Sequence, residues 1–85
     1  MKNIEVDAKI LTPSQSRAAR ALLGWSQQQL AEKAEVAKQT LADFERGART
    51  PYDRTLRDIR STLEDAGVLL LDSENGLGVG ARLKG

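Results

Sequence analysis

The stretch from Ser26 to Pro51, SQQQLAEKAEVAKQTLADFERGARTP, constrains the fold more than any other part of the chain. Leu30, Ala31 and Ala34 share one face of a first short helix, and Val36, Leu41 and Phe44 supply the matching apolar side at a tight corner and on a second helix. Each helix therefore needs the other to bury that face. Ser26 marks the start of the first as its N-cap, with Gln29 three residues on as the capping-box partner. Gly47 suits the left-handed turn that closes the second.

The remainder of the chain sets bounds on what this pair can belong to. With 85 residues it forms one small domain with a limited core, so oligomerisation is a plausible source of further stability. The sequence holds no cysteine and no histidine. Disulfides, thiolate or imidazole metal sites and nucleophile–histidine triads are thereby excluded, and a carboxylate pair would need a pocket that so small a domain rarely forms. An enzyme is not expected, nor a cofactor. No apolar run approaches a membrane span, and the N-terminus lacks the basic region and apolar stretch of a signal peptide, so a cytoplasmic location is the expectation. The net charge of +1 is uninformative, but its distribution is less even. The last 25 residues carry two basic and four acidic side chains, leaving +3 on everything before Ser61.

Taken in order, Ile4, Val6, Ala8 and Ile10 alternate with polar residues, the period of a half-buried strand, with a frayed tail as the alternative for residues 1–11. Thr12 is a cap, Pro13 fits the first helical position and Gln15 the capping box, so a helix should run to Leu23 and end at Gly24. Ser16, Ala19 and Leu23 form one stripe on it, facing the two helices that follow. Leu11, Ala18 and Leu22 form a second, which the terminal strands are expected to cover, from the same chain or from another copy. Trp25 at the next corner reads as a core plug. After Pro51, Leu56, Ile59, Leu63 and Ala66 predict a further helix, capped by Thr50 or Asp53 and terminated by Gly67. Val68 to Leu71 has a strand's length and composition, and Val79, Ala81 and Leu83 alternate beyond a turn at Asn75-Gly76, which together predict a hairpin.

The central stretch resembles the helix-turn-helix of the Cro and phage-repressor class, the Xre family, whose pattern is roughly S-Q-x-x-L-A-x-x-x-G-V-S-x-x-x-I-x-x-W/F-E-x-G-x-x-x-P. Ser26, Gln27, Leu30, Ala31, Val36, Leu41, Phe44, Glu45, Gly47 and Pro51 stand in register with it, and Arg17 and Arg20 match the family's first helix. Glu35 stands where the family prefers Gly, which implies positive φ at about 1 kcal/mol of strain. Ala37 replaces a Ser or Thr cap, a loss of about 1 kcal/mol at the start of the second helix. The resemblance implies a mainly α, repressor-like bundle of four or five helices with short terminal strands. It covers residues 12–67, the expected DNA-binding domain; outside it, the alternating segments leave 1–11 as a strand or tail and 68–85 as a hairpin, a candidate dimerisation element. It also implies that Arg20 and Glu45 form a structural ion pair tying the first helix to the recognition helix.

A recognition helix at about 37–46 would place its outward residues in the major groove of double-stranded DNA while the preceding helix braces the phosphates. Lys38, Gln39, Ala42, Asp43 and Arg46 are the base-reading candidates. Gln39 suits an adenine edge, Lys38 guanine O6 or N7, Asp43 cytosine N4 and Ala42 a thymine methyl. Gln27 and Gln28, Thr40, Arg49 and Arg54 are the phosphate candidates. One such domain covers little DNA, so the expectation is a homodimeric transcriptional regulator on a palindromic operator. Two other readings fit the same residues: an antitoxin or phage-type control protein whose termini bind a toxin or other regulator, and a helical interaction module without DNA binding.

Overall fold

The computed structural model describes residues 10–85. The alternating segment at residues 1–9 lies outside them. Four helices and two strands follow in order: α1 (Pro13–Leu23), α2 (Gln27–Ala34), α3 (Lys38–Glu45), α4 (Asp53–Asp65), β1 (Val68–Leu71) and β2 (Gly80–Leu83).

Local chemistry sets most of the boundaries. At α1 the Thr12 side chain accepts from the Gln15 backbone N–H while the Gln15 side chain accepts from that of Thr12, with Pro13 in the first turn, and Gly24 at φ 72° closes the helix. Ser26 and Gln29 make the same reciprocal pair at α2. That helix stops at Glu35, held at φ 59° and ψ 43°, the left-handed conformation that the absence of Gly forces on a longer side chain. α3 begins at Ala37 without a side-chain cap, and α4 begins at Tyr52 likewise. The expected cap at Thr50 or Asp53 is therefore displaced. Pro51 favours extended backbone just before the helix, and Asp53 becomes its first residue, where a carboxylate suits the positive end of the helix dipole.

The core joins all four helices to the first strand: Leu11, Ala19, Leu30, Ala31, Ala34, Leu41, Phe44, Leu56, Ile59, Leu63, Val68 and Leu70 are buried, with Leu23, Trp25 and Val36 packed at its margin. α2 packs on both α3 and α4, so the two short helices share one apolar floor. Trp25 is half-buried and carries the Lys33 ammonium 5.1 Å from its ring centroid.

β1 and β2 pair antiparallel, with Val68 opposite Leu83 and Leu71 opposite Gly80. Asn75 and Gly76, at φ 53° and 80°, make the turn the sequence predicts. A two-stranded hairpin is marginal alone, and here Gln15 fastens it to α1. Its Nε2 donates to Leu71 O (2.9 Å) and Gly80 O (3.1 Å), facing ends of the ladder, while its Oε1 accepts from Thr12 N at 3.0 Å. One buried amide thus caps a helix and clamps a sheet. The second stripe of α1 divides. Leu11 enters the core, whereas among the described residues Ala18 and Leu22 are exposed; the hairpin meets α1 at Gln15, and the N-terminal segment expected beside it lies outside the described residues.

Candidate nucleic-acid interface

α3 is held by a buried carboxylate. Glu45, 1% exposed in the last turn, receives Arg20 Nη2 at 2.7 Å and Arg20 Nε at 3.0 and 3.1 Å, Ser16 Oγ at 2.5 Å, and Gln27 Nε2 at 3.0 Å. Arg17 donates to the Glu45 backbone carbonyl, and Arg20 reaches back to Trp25 O at 3.1 Å. Donors from α1 and from the first turn of α2 therefore converge on the end of α3. Burial raises the Glu45 carboxyl, but hydrogen bonds from Arg20, Ser16 and Gln27, with the charge of Arg20, outweigh it and hold the group below its ordinary value. Alanine and serine on α1 make the approach possible: Ser16 and Ala19 are small and fully buried.

With Leu41, Phe44 and Glu45 turned inward, the other face of α3 is uncovered by the described residues. Lys38, Gln39 and Arg46 are exposed, and Ala42 and Asp43 are half-exposed beside them. This face is ordered by a second carboxylate. Asp43 Oδ1 accepts from Gln39 Nε2 at 2.9 Å, Arg46 Nη2 at 3.1 Å and Arg46 Nε at 3.3 Å. The hydrogen bond from Gln39 is the main cause that lowers its carboxyl below the usual value; partial burial opposes it and Arg46 adds to it.

The residues expected at phosphates fall into three places. Gln27 and Gln28 occupy the first turn of α2, Gln28 paired with Glu32 at 2.8 Å and Gln27 turned toward Glu45, a contact that the spacing of the sequence does not reveal. Thr40 and Arg49 line a groove with Thr50, Pro51, Tyr52 and Thr55. Arg54 is exposed in the first turn of α4. Tyr52, 88% exposed on the wall of that groove, escaped the sequence reading although an aromatic residue directly after Pro51 and near Arg49 was a visible signal. Among the described residues no cluster of carboxylates could hold a metal ion, and no helix is long and apolar enough to cross a membrane.

Two short helices sharing a floor, the second presenting a polar outer face and anchored from behind, define a helix-turn-helix unit. The helix-turn-helix family model matches residues 17–64, and the chain belongs to that family, in its Xre-like branch. No curated protein matches the chain. The family is one of DNA-binding domains and not of enzymes, and the protein is a DNA-binding transcriptional regulator whose ligand is double-stranded DNA.

Proposed function

We propose that the protein acts as a homodimer on a two-fold symmetric operator, with residues 37–46 in the major groove of each half-site. The observation that carries this reading is the division of α3 into a face locked by Glu45 and a face where Lys38, Gln39 and Arg46 are exposed. A rod fixed on one side can hold its other side in register with base edges. In this reading Lys38, Gln39, Ala42, Asp43 and Arg46 form the base-reading surface. Gln27, Gln28, Thr40, Arg49 and Arg54 grip phosphates on either side, Gln27 with the amide N–H that Glu45 leaves free. Residues 12–67 are the DNA-binding unit.

The hairpin, residues 68–85, supplies the contact between copies. Its outer face carries Leu69 and Leu71, both more than a third exposed, with Leu77 at the turn 71% exposed, and such leucines gain from a partner. Val68 and Leu70 on the opposite face belong to the core, so the test uses surface substitutions and leaves the hairpin in place. Leu69→Lys with Leu71→Lys should keep the fold by circular dichroism, convert a dimer to a monomer by light scattering, and weaken binding to a symmetric operator. A wild-type monomer, or a variant that stays dimeric, overturns the assignment. For DNA binding itself, gel shifts across a salt series should show affinity falling steeply as salt rises, and Arg54→Ala should weaken all sequences alike.

A further inference from the structure

We propose that Asp43 is a positioning residue for recognition: it fixes the Gln39 amide and the Arg46 guanidinium in single orientations and thereby determines which bases those two side chains select. The proposal rests on the reading that α3 enters the major groove.

Three N–H donors from two side chains meet on one oxygen, Asp43 Oδ1, at 2.9, 3.1 and 3.3 Å. The exposures rank in a telling order. The Asp43 side chain is 17% exposed and that of Arg46 68%, so the carboxylate sits low between the longer groups whose heads project past it. A direct contact with cytosine N4, through the Oδ2 that Gln39 and Arg46 do not occupy, would need the short side chain to outreach both neighbours. Its position suits holding them.

The consequence for Gln39 is chemical. A free glutamine amide can present its oxygen and nitrogen in either of two arrangements, related by a half-turn about its last torsion. With Nε2 held on Asp43, Oε1 is fixed on the far side, and one N–H on Nε2 remains. That pair, an acceptor beside a donor in fixed order, matches the N6 donor and N7 acceptor of adenine in one sense only. Arg46 is treated similarly. Its Nε and Nη2 are engaged on the carboxylate side, so the guanidinium plane is set and its opposite edge, through Nη1, is left for guanine O6 or N7. Both side chains thus have part of their rotamer freedom removed before DNA arrives. The negative charge near phosphates works in the other direction and lowers affinity for any duplex, which favours selectivity over strength.

The experiment is selection of binding sites from random duplex DNA by the full chain in four forms: wild type, Asp43→Ala, Gln39→Ala and Arg46→Ala, followed by competition with single-mismatch duplexes. The Gln39 and Arg46 variants identify the base positions each reads. Asp43→Ala should then lose discrimination at both of those positions together, by about tenfold, while binding random duplex more tightly and melting as the wild type does. Asp43→Asn, which keeps an acceptor without the charge, should retain part of the discrimination. The proposal is overturned if Asp43→Ala keeps the wild-type motif with uniformly tighter binding, since that is charge repulsion alone, or if preference is lost at a single cytosine position, since that is direct reading. A wild-type chain that selects no motif overturns instead the placement of α3 on which the proposal rests.

Discussion

Two carboxylates on α3, two residues apart, face opposite fates with nearly the same partners. Glu45 and Asp43 each accept from a glutamine amide and an arginine guanidinium, and both are held below their ordinary carboxyl values. Glu45 draws its donors from α1 and α2 and is buried; Asp43 draws its donors from its own helix and its immediate C-cap, within four residues, at the surface. The long-range network fixes where α3 lies, and the local one fixes what α3 displays. Contact chemistry alone does not separate stability from recognition; burial and sequence separation do.

The largest test of that distinction is Glu45→Ala. Removing the acceptor leaves Arg20 Nε and Nη2, Ser16 Oγ and Gln27 Nε2 facing a void. Breaking a buried pair in this way costs about 3 kcal/mol or more, a fall of roughly 15 °C or more in melting temperature for a domain of this size. Thermal denaturation followed by circular dichroism measures it, and a loss of only a few degrees would place the Glu45 network in the same energetic class as a surface pair. The same group predicts an acid limb. Because the folded Glu45 carboxyl titrates below its unfolded value, its stabilisation is complete above 4.5, the ordinary value, and is lost as pH falls through the lower folded value. Glu45→Gln should flatten that part of the stability profile.

Gln15 sharpens the comparison by removing charge from it. It is as buried as Glu45 and bonds across 56 and 65 residues, but it is neutral. Gln15→Ala leaves the carbonyls of Leu71 and Gly80 and the Thr12 N–H without that partner, a cost of about 2 kcal/mol. Hydrogen exchange should show the loss concentrated in the hairpin. A cost near zero would mean that charge, and not burial with long-range bonding, separates the two carboxylates.

These two buried polar residues also mark where the sequence was legible and where it was not. Periodicity and capping chemistry sufficed for the first two helices: Thr12 with Gln15, Ser26 with Gln29 and Gly24 all act within four residues, so their consequences can be read locally, whereas the strained Glu35 was reachable only through the family resemblance and the cap of α4 falls at Tyr52, not at Thr50 or Asp53. The Asn75-Gly76 turn is local too. The convergence of Ser16, Arg17 and Gln27 on Glu45 is not, because it depends on how α1 and α2 cross, which no spacing encodes. Arg20 with Glu45 was reachable only through resemblance to a family. Gln15 was recognised as a cap while its second task, holding a hairpin more than fifty residues away, had no local signature. The Gln39–Asp43–Arg46 cluster could have been found, since the spacings of four and three put all three on one helical face.

The smallest expected effect on stability belongs to Asp43→Ala, and its smallness is the point. Asp43 lies near the C-terminal end of α3, where a negative charge opposes the helix dipole, so its removal relieves one unfavourable interaction while it dissolves the local pairs to Gln39 and Arg46. Both partners are already exposed to water and keep hydrogen bonds to it after the change. Alanine is also the better helix former, which offsets the charge-dependent stabilisation that is lost, so the melting midpoint at neutral pH should stay close to that of the wild type. Asp43 titrates below its ordinary value like Glu45, so its stabilisation too is present above the unfolded value and lost as pH falls through the folded one. Being at the surface, it is screened by salt. Raising the salt concentration should shrink the part of the Asp43 contribution to the acid limb that comes from the charge of Arg46 and leave that of Glu45 nearly unchanged, a difference that Asp43→Asn and Glu45→Gln measured side by side at two ionic strengths would reveal. If salt weakens both contributions equally, the two carboxylates of α3 do not differ in the way their burial indicates.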